Sequence, residues 1–395
     1  MAIASPAINL PRNVSGQDSP YRIMLVDDSA VIRGMVHRWL TSDPECQVVG
    51  SYHNGLQAVQ HIKSCGAEIV ILDVEMPEMD GLTALPQLIR AVPGIQIVMA
   101  STLTRRNADI SMKALSMGAV DYLPKPESAR SGDAANEFRD ELIRKIKAIG
   151  GSMRRNRPPL PAVANKAIPL APRENVPGTF RVTPDKAPKV AKALILRPSS
   201  KVRPEILAVG SSTGGPQALF AFFGGLKQII KVPVLITQHM PPTFTSILAE
   251  HLQSLTGIPT KEASDGDPLR NGEILIAPGN YHMTVVRKGT DRVVRLDQTP
   301  QINFCRPAVD PMFESIANIY GPAALGVILT GMGHDGREGS RKLVGAGGTI
   351  LAQDEKTSVV WGMPGAVAEA GLCSAVVPLL EMAPLVARHL QGVAR

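Results

Sequence analysis

The chain of 395 residues is long enough for two domains and a connecting segment, and its formal net charge is +7. That charge is local: residues 151–204 hold 12 Lys/Arg against Glu174 and Asp185, which leaves the rest slightly acidic and argues against a nucleic-acid partner. No apolar run approaches the length of a membrane span, so membrane insertion is excluded. Cys46, Cys65, Cys305 and Cys373 stand far apart and read as reduced thiols of a cytoplasmic protein.

Residues 1–20 read as a flexible tail without a signal-peptide pattern. From Tyr21 onward, strand-like and helix-like segments alternate. Strands are predicted at Arg22 to Val26, Gln47 to Val49, Ile69 to Leu72, Ile95 to Met99 and Ala119 to Leu123. Helices are predicted after the Ser29 cap, then at Leu56 to Ser64, Leu82 to Val92, Asp109 to Met117 and Glu137 to Ile149. Such alternation implies an α/β domain with a doubly wound parallel sheet.

Asp27, Asp28, Asp73, Ser101 and Lys125 each fall just beyond a predicted strand. Converging carboxylates repel one another and favour a hard divalent cation, Mg²⁺ where phosphoryl groups are handled. Lys125 and Ser101 are then placed to hold the oxygens of a phosphoryl group on Asp73. Singly, each has a plainer reading: Asp27 or Asp28 as a helix cap, Lys125 as a loop charge. Residues 21–149 resemble a response-regulator receiver domain, on Leu25-Val26-Asp27-Asp28-Ser29, Asp73-Val74-Glu75-Met76-Pro77 and Lys125-Pro126. The resemblance implies that Asp73 accepts a phosphoryl group from a histidine kinase. It also implies that Asp28, Asp73 and the backbone carbonyl of Glu75 hold Mg²⁺, with Asp27 assisting through water, and that Ser101 and Lys125 form the phosphoryl switch.

Residues 150–204 are rich in Pro, Lys and Arg and nearly free of aromatics, a composition that cannot bury a core. They read as a disordered tether, with Ala193 to Leu196 as a small apolar docking candidate.

Residues 205–393 return to α/β alternation. The run Ile206 to Val209 leads into Gly210-Ser211-Ser212-Thr213-Gly214-Gly215, shaped like a nucleophile elbow, although a glycine turn that only binds phosphate is the plainer reading. Val232 to Ile236 ends in Thr237-Gln238-His239, and Ala324 to Leu329 ends in a glycine-rich turn holding Met332, His334 and Asp335. In one parallel sheet, Ser212, His239 and Asp335 would meet beyond the strands' carboxyl ends as nucleophile, base and orienting carboxylate. Further strands are predicted at Glu273 to Ala277, Thr349 to Leu351 and Ala375 to Pro378, with a hairpin from Thr284 to Val286 and Val293 to Leu296.

This half is similar to the catalytic domain of the chemotaxis protein-glutamate methylesterases, on five blocks in order: Val209 to Pro216, Gln238 to Pro241, Ala277 to Gly279, Arg306 to Asp310, and Leu329 to Gly336. The resemblance implies a Rossmann-like methylesterase domain that hydrolyses glutamyl γ-methyl esters on chemoreceptors, releasing methanol, and that deamidates receptor glutamines. It implies two partners, the methyl-accepting receptors and the kinase, and no metal for the ester step. A monomer, associated with receptor arrays at most, is expected.

Backbone N–H groups of Thr213 and Met332 are assigned to the oxyanion. His282, Arg306 and Asp310 are candidate substrate contacts, with a loop histidine and a buried Arg306–Asp310 ion pair as the plainer readings. Ser211 as nucleophile, His282 or His334 as base, and Asp310 or Asp354 as carboxylate stay open. So do two other classes: a DNA-binding output domain, and a phosphorylation-dependent adaptor with an unused esterase fold.

Overall fold

A computed structural model of the chain describes residues 19–125, 132–156 and 194–393. In the first half, β1 (Tyr21–Val26), α1 (Ala30–Ser42), β2 (Cys46–Tyr52), α2 (Gly55–Cys65), β3 (Ile69–Asp73), α3 (Gly81–Ala91), β4 (Gln96–Ser101), α4 (Arg105–Ser116), β5 (Asp121–Pro124) and α5 (Gly132–Asn156) alternate as expected. The strands form one five-stranded parallel sheet in the order β2-β1-β3-β4-β5. Side chains set the helix starts: Ser29 Oγ accepts from Ile32 N–H at 3.3 Å, Asn54 Oδ1 from Gln57 N–H at 2.9 Å and Asp80 Oδ1 from Thr83 N–H at 2.7 Å. Thr104 does the same for α4, accepting from Asn107 N–H at 3.2 Å, which starts that helix before the predicted Asp109.

Helix α5 runs past Gly150 and Gly151 to Asn156, into the stretch read as tether. A Cβ on Gly150 would stand 2.5 Å from the Tyr21 ring, so glycine lets the helix cross β1 closely. Beyond it the Arg154 guanidinium lies 4.2 Å from the Tyr21 ring centroid and 2.7 Å from the Glu68 carboxylate, which fixes the added turn. The tether from 157 to 193 and the tail to residue 18 lie outside the described residues, as does Ala193 of the docking candidate. Leu194 to Leu196 are exposed, and Arg197 anchors the strip that follows by donating its N–H to Cys373 O at 2.9 Å.

The second half carries β6 (Ile206–Ser211), α6 (Gly215–Gly224), β7 (Val234–Gln238), α7 (Phe244–Thr256), β8 (Thr260–Glu262), β9 (Ile274–Ile276), β10 (His282–Lys288), β11 (Asp291–Asp297), α8 (Val309–Tyr320), β12 (Ala324–Ile328), α9 (Arg337–Gly345), β13 (Thr349–Gln353), α10 (Met363–Glu369), β14 (Ala375–Val377) and α11 (Leu379–Gln391). Its seven-stranded sheet, ordered β14-β13-β12-β6-β7-β9-β8, is parallel at every pairing. The hairpin β10–β11 pairs as expected, antiparallel, and forms a separate two-stranded sheet. Strand β8 was not predicted, because Thr260-Lys261-Glu262 carries no apolar run; its pairing with β9 at the sheet edge creates it. Phe222 and Phe244 fill one face of the sheet, and Phe313 and Met363 the other.

The two halves pack on each other through α4, β5 and the end of α5. Tyr122 of β5 is buried and stacks on Phe244 of α7, ring centroids 4.4 Å apart. Gln217 Nε2, in the first turn of α6, donates to Leu115 O at 2.8 Å and also to Ala119 O. His251 Nε2 meets Asp109 Oδ1 at 2.8 Å. Ser152 Oγ donates to Ser358 O at 3.5 Å, beside Val359 and Val360.

The loop that carries His239 is held by a close backbone approach. A Cβ on Gly279 would stand 2.1 Å from Pro242 N, a distance no side-chain shift relieves. Gly279→Ala is expected to lower stability by about 1–3 kcal/mol. Denaturant unfolding checks this, and an unchanged midpoint would contradict it.

Candidate active site

Strands β12, β6 and β7 are neighbours, so the loops at their carboxyl ends lie side by side. Ser212 follows β6 directly and donates its N–H to Thr330 O at 3.0 Å, while His239 after β7 donates its N–H to Ser211 O at 3.1 Å. The elbow turns through Gly214 at φ 74. Gly331 presses on it from the loop after β12, since a Cβ there would stand 2.9 Å from Ser212 Cβ. Three short parallel runs and their glycines thus bring the predicted serine, histidine and carboxylate loops to one crevice.

Asp335 is 1% exposed, which an ionised carboxylate tolerates only when its oxygens are satisfied. They are: Oδ2 accepts from Val309 N–H at 2.6 Å and lies 2.7 Å from His239 Nε2. Oδ1 accepts from Gly336 N–H at 2.9 Å and Asp310 N–H at 3.1 Å. Burial works against this carboxylate, yet His239 and these N–H donors hold it below the usual range. Burial likewise pushes the His239 imidazole down, but the Cys305 sulfur and the Asp335 carboxylate outweigh it and carry the ring up. Asp310 does not pair with Arg306. It accepts from Gly339 N–H at 2.6 Å, and burial beside Asp335 pushes it up to about 6.

The hydroxyl of Ser212 makes no hydrogen bond among the described residues. The second ring nitrogen of His239, Nδ1, instead faces Cys305 Sγ at 3.3 Å. Nothing within the Phe304-Cys305-Arg306 loop announces that its sulfur meets a histidine 66 residues earlier.

Ser211 is fully buried and donates Oγ–H to Gln238 Oε1 at 2.6 Å, which takes it out of contention as nucleophile. The Thr213 and Met332 N–H groups have no acceptor among the described residues, and Thr213 Oγ1 is buried without a partner. Met332 packs against the apolar cluster that joins the first domain to Val360.

His282 is not available to a substrate. It is 1% exposed, its Nδ1 accepts from Ala308 N–H at 3.2 Å and its Nε2 lies 3.2 Å from Pro300 O, so it braces the loop as a structural histidine. Arg306 spends its donors on Asn280 Oδ1 at 2.7 Å and on Gln298 O and Thr299 O at 3.0 Å, tying three loops at the crevice rim. His334 is exposed, and Asp354 accepts from Thr357 within its own turn.

At the first sheet's carboxyl edge, carboxylate oxygens of Asp27, Asp28 and Asp73 lie within 4.8 Å of one another. Lys125 Nζ bridges Asp27 Oδ2 at 2.6 Å and Asp73 Oδ2 at 2.7 Å. Burial is the main reason that Asp73 is pushed up to about 6; Lys125 works against the rise. Ser101 Oγ is turned inward to Ser111 Oγ of α4 at 3.0 Å. The Glu75 side chain points outward, 3.8 Å from Arg106 Nε.

Comparison with known proteins gives two family matches: the CheB methylesterase family over residues 207–386 and the response regulator receiver domain over residues 23–135. A protein-glutamate methylesterase/protein-glutamine glutaminase of Rhodospirillum rubrum is 50% identical over 373 residues, covering 93% of this chain and 95% of that protein. One from Bradyrhizobium diazoefficiens, of a group 2 operon, is 49% identical over 387 residues, 96% of each chain. The crystal structure of the Thermotoga maritima CheB methylesterase catalytic domain aligns at 39% identity and a TM-score of 0.46, over 47% of this chain and 99% of that one.

Because the Asp335 carboxylate is one of the groups that raise His239, Asp335→Asn is expected to shift the imidazole titration to lower pH. NMR titration of the ring in the folded variant checks this, and an unshifted midpoint would contradict the geometry's role.

Proposed function

This chain belongs to the chemotaxis response-regulator protein-glutamate methylesterases, and from that membership we propose how its residues divide the work. The protein hydrolyses glutamyl γ-methyl esters and deamidates glutamines in chemotaxis adaptation. Its division is read as a tail to residue 20, a receiver from 21 that α5 carries past 149 to Asn156, a tether, and the catalytic domain over 205–393, onto which the strip from Arg197 is anchored. The observation that carries the site assignment is the buried 2.7 Å contact of His239 Nε2 with Asp335, beside the β6 elbow.

With Nε2–H committed to the carboxylate, Nδ1 is the basic nitrogen. Ser212 Oγ attacks the ester carbonyl as its proton passes to Nδ1, and the Thr213 and Met332 N–H groups receive the oxyanion. Methanol leaves with the proton returned from Nδ1, or ammonia leaves in the glutamine reaction. Water activated by the same nitrogen then attacks the acyl-serine, releasing glutamate and restoring the hydroxyl. Asp335 keeps the ring oriented and offsets the charge of the imidazolium.

In the receiver, the three clustered carboxylates form a hard oxygen donor set that suits Mg²⁺, with the Glu75 carbonyl as a further donor. Bound there, the ion would neutralise the charge of an incoming phosphoryl group. Asp73 is the acceptor, Lys125 is placed to pair with a phosphoryl oxygen, and Ser101 must turn from Ser111 to reach one. The phosphoryl donor is the pathway's histidine kinase, and the substrates are methyl-accepting receptors. Among the described residues no helix is long and apolar enough to cross a membrane.

Autoinhibition fits the packing. Receiver residues hold Gln217, in the helix that follows the elbow, and Ser152 reaches Ser358 O beside the cluster against which Met332 of the oxyanion turn packs. Rotation of Ser101 toward a phosphoryl group releases Ser111 on α4, the helix whose far side holds α7 through Asp109.

Three outcomes follow. Ser212→Ala is expected to cut methanol release from methyl-labelled receptor membranes by about 10³-fold or more with the fold intact; wild-type release would refute the nucleophile. Titration of the Asp73 carboxylate in the metal-free receiver, followed by NMR, should show proton uptake as pH falls through about 6. A carboxylate still ionised at pH 5 would contradict that. Removing residues 1–193 should raise basal hydrolysis about tenfold, equivalent to about 1.4 kcal/mol of docking, and an unchanged or lower rate would refute shielding.

A further inference from the structure

The nitrogen on which hydrolysis depends already has a partner. Cys305 Sγ lies 3.3 Å from His239 Nδ1 and 3.4 Å from its own loop's Asn303 O. Rotation about Cβ–Sγ alone therefore moves the thiol proton between the imidazole and a carbonyl. The turn that holds the sulfur is closed by reciprocal bonds, Ile302 N–H to Cys305 O at 3.1 Å and Cys305 N–H to Ile302 O at 2.9 Å. Between them Asn303 and Phe304 stand at φ 52 and 63, a conformation that side chains resist. Such a turn persists only where its surroundings enforce it. Here the Asn303 amide donates to Asp310 Oδ2 at 3.3 Å, and Arg306 pins the next residue to Asn280. The result is a sulfur aimed inward at the base and a Phe304 ring that is 89% exposed at the rim.

We propose that Cys305 is a positioning residue for the catalytic base: its thiol holds Nδ1 of His239 between turnovers and yields that nitrogen to Ser212 when substrate is engaged. The inference rests on the reading of Ser212 and His239 given above. With Nε2 held by Asp335, serine and thiol compete for one acceptor. A thiol is the weaker donor, so an aligned hydroxyl displaces it, and the S–H bond turns to donate to Asn303 O with its proton still on sulfur. Until then the ring is held in one orientation and one tautomer. Once the ring is protonated, the polarisable sulfur faces Nδ1–H and favours the charged form, in the same direction as Asp335 and against burial. The titratable groups facing the ring are Asp335 on Nε2 and Cys305 on Nδ1, with Asp310 behind Asp335.

The test uses the full chain and receptor membranes, with kcat/KM for methanol release followed across pH. Cys305→Ala should move the acid limb to lower pH by about one unit, making the variant about tenfold faster than wild type below the limb. Cys305→Ser, whose hydroxyl donates to the same nitrogen, should keep the limb close to its wild-type place. If alanine loosens the turn, as thermal melting would report, Cys305→Val fills the space without a donor and gives the same comparison.

An acid limb that stays put in the Ala and Val variants overturns the proposal, whatever happens to the rate, because a structural role would lower turnover equally at all pH. Loss of all turnover in Cys305→Ala alongside retained turnover in Ser212→Ala would overturn it too, by making sulfur the nucleophile. Ser212→Ala at wild-type rate refutes the serine reading itself. An inactive Ser212→Ala with an unmoved limb in Cys305→Ala refutes only the role of the thiol.

Discussion

The contact between His239 Nε2 and Asp335 Oδ2 decides everything else about the catalytic half. An imidazole has two nitrogens and serves a serine with only one. By committing Nε2–H to a buried carboxylate, the fold leaves Nδ1 as the acceptor and fixes the plane in which a nucleophile must lie. The carboxylate can stay ionised in the interior because N–H groups from α8 and from its own turn surround it. Strand order then supplies the rest: β12, β6 and β7 are adjacent, so three residues far apart in sequence share one edge.

Much of this was legible in the amino-acid sequence, and for physical reasons. Parallel strands buried on both faces read as short apolar runs, and the residue after each run lands at the edge where ligands bind. Hence Ser212, His239, Asp335, Asp73 and Lys125 could be placed from local text alone. What escaped was set by contacts with no local mark. Strand β8 exists because β9 pairs with it. His282 looks like any loop histidine until the Ala308 N–H and the Pro300 carbonyl close on its ring. Cys305, Tyr122 and Phe244 are ordinary residues whose roles come from what faces them across the fold. The pairing of Arg306 with Asp310 fails because each has a better partner nearby.

The two halves meet through α4, β5 and α5, and the interface mixes kinds of contact. The stacked Tyr122–Phe244 pair is buried and contributes by removing apolar surface from water. The Arg105–Glu250 pair at 2.6 Å is solvent-exposed and adds little. Between them lie Gln217 and His251, whose polar bonds give the contact its register. Helix α4 therefore touches the Ser101 hydroxyl on one side and the catalytic domain on the other.

Asp335 has a second employment that bears on how kin of this protein are read. Helix α8 begins at Val309 behind Ala308, which has no side-chain oxygen to offer its first N–H groups; the Asp335 carboxylate, arriving from another loop, takes that place. A descendant that had lost hydrolysis would still need this acid to keep the helix seated. Its retention in a homologue is thus testimony to architecture rather than to turnover, and a living enzyme is better told from a silent one by the serine.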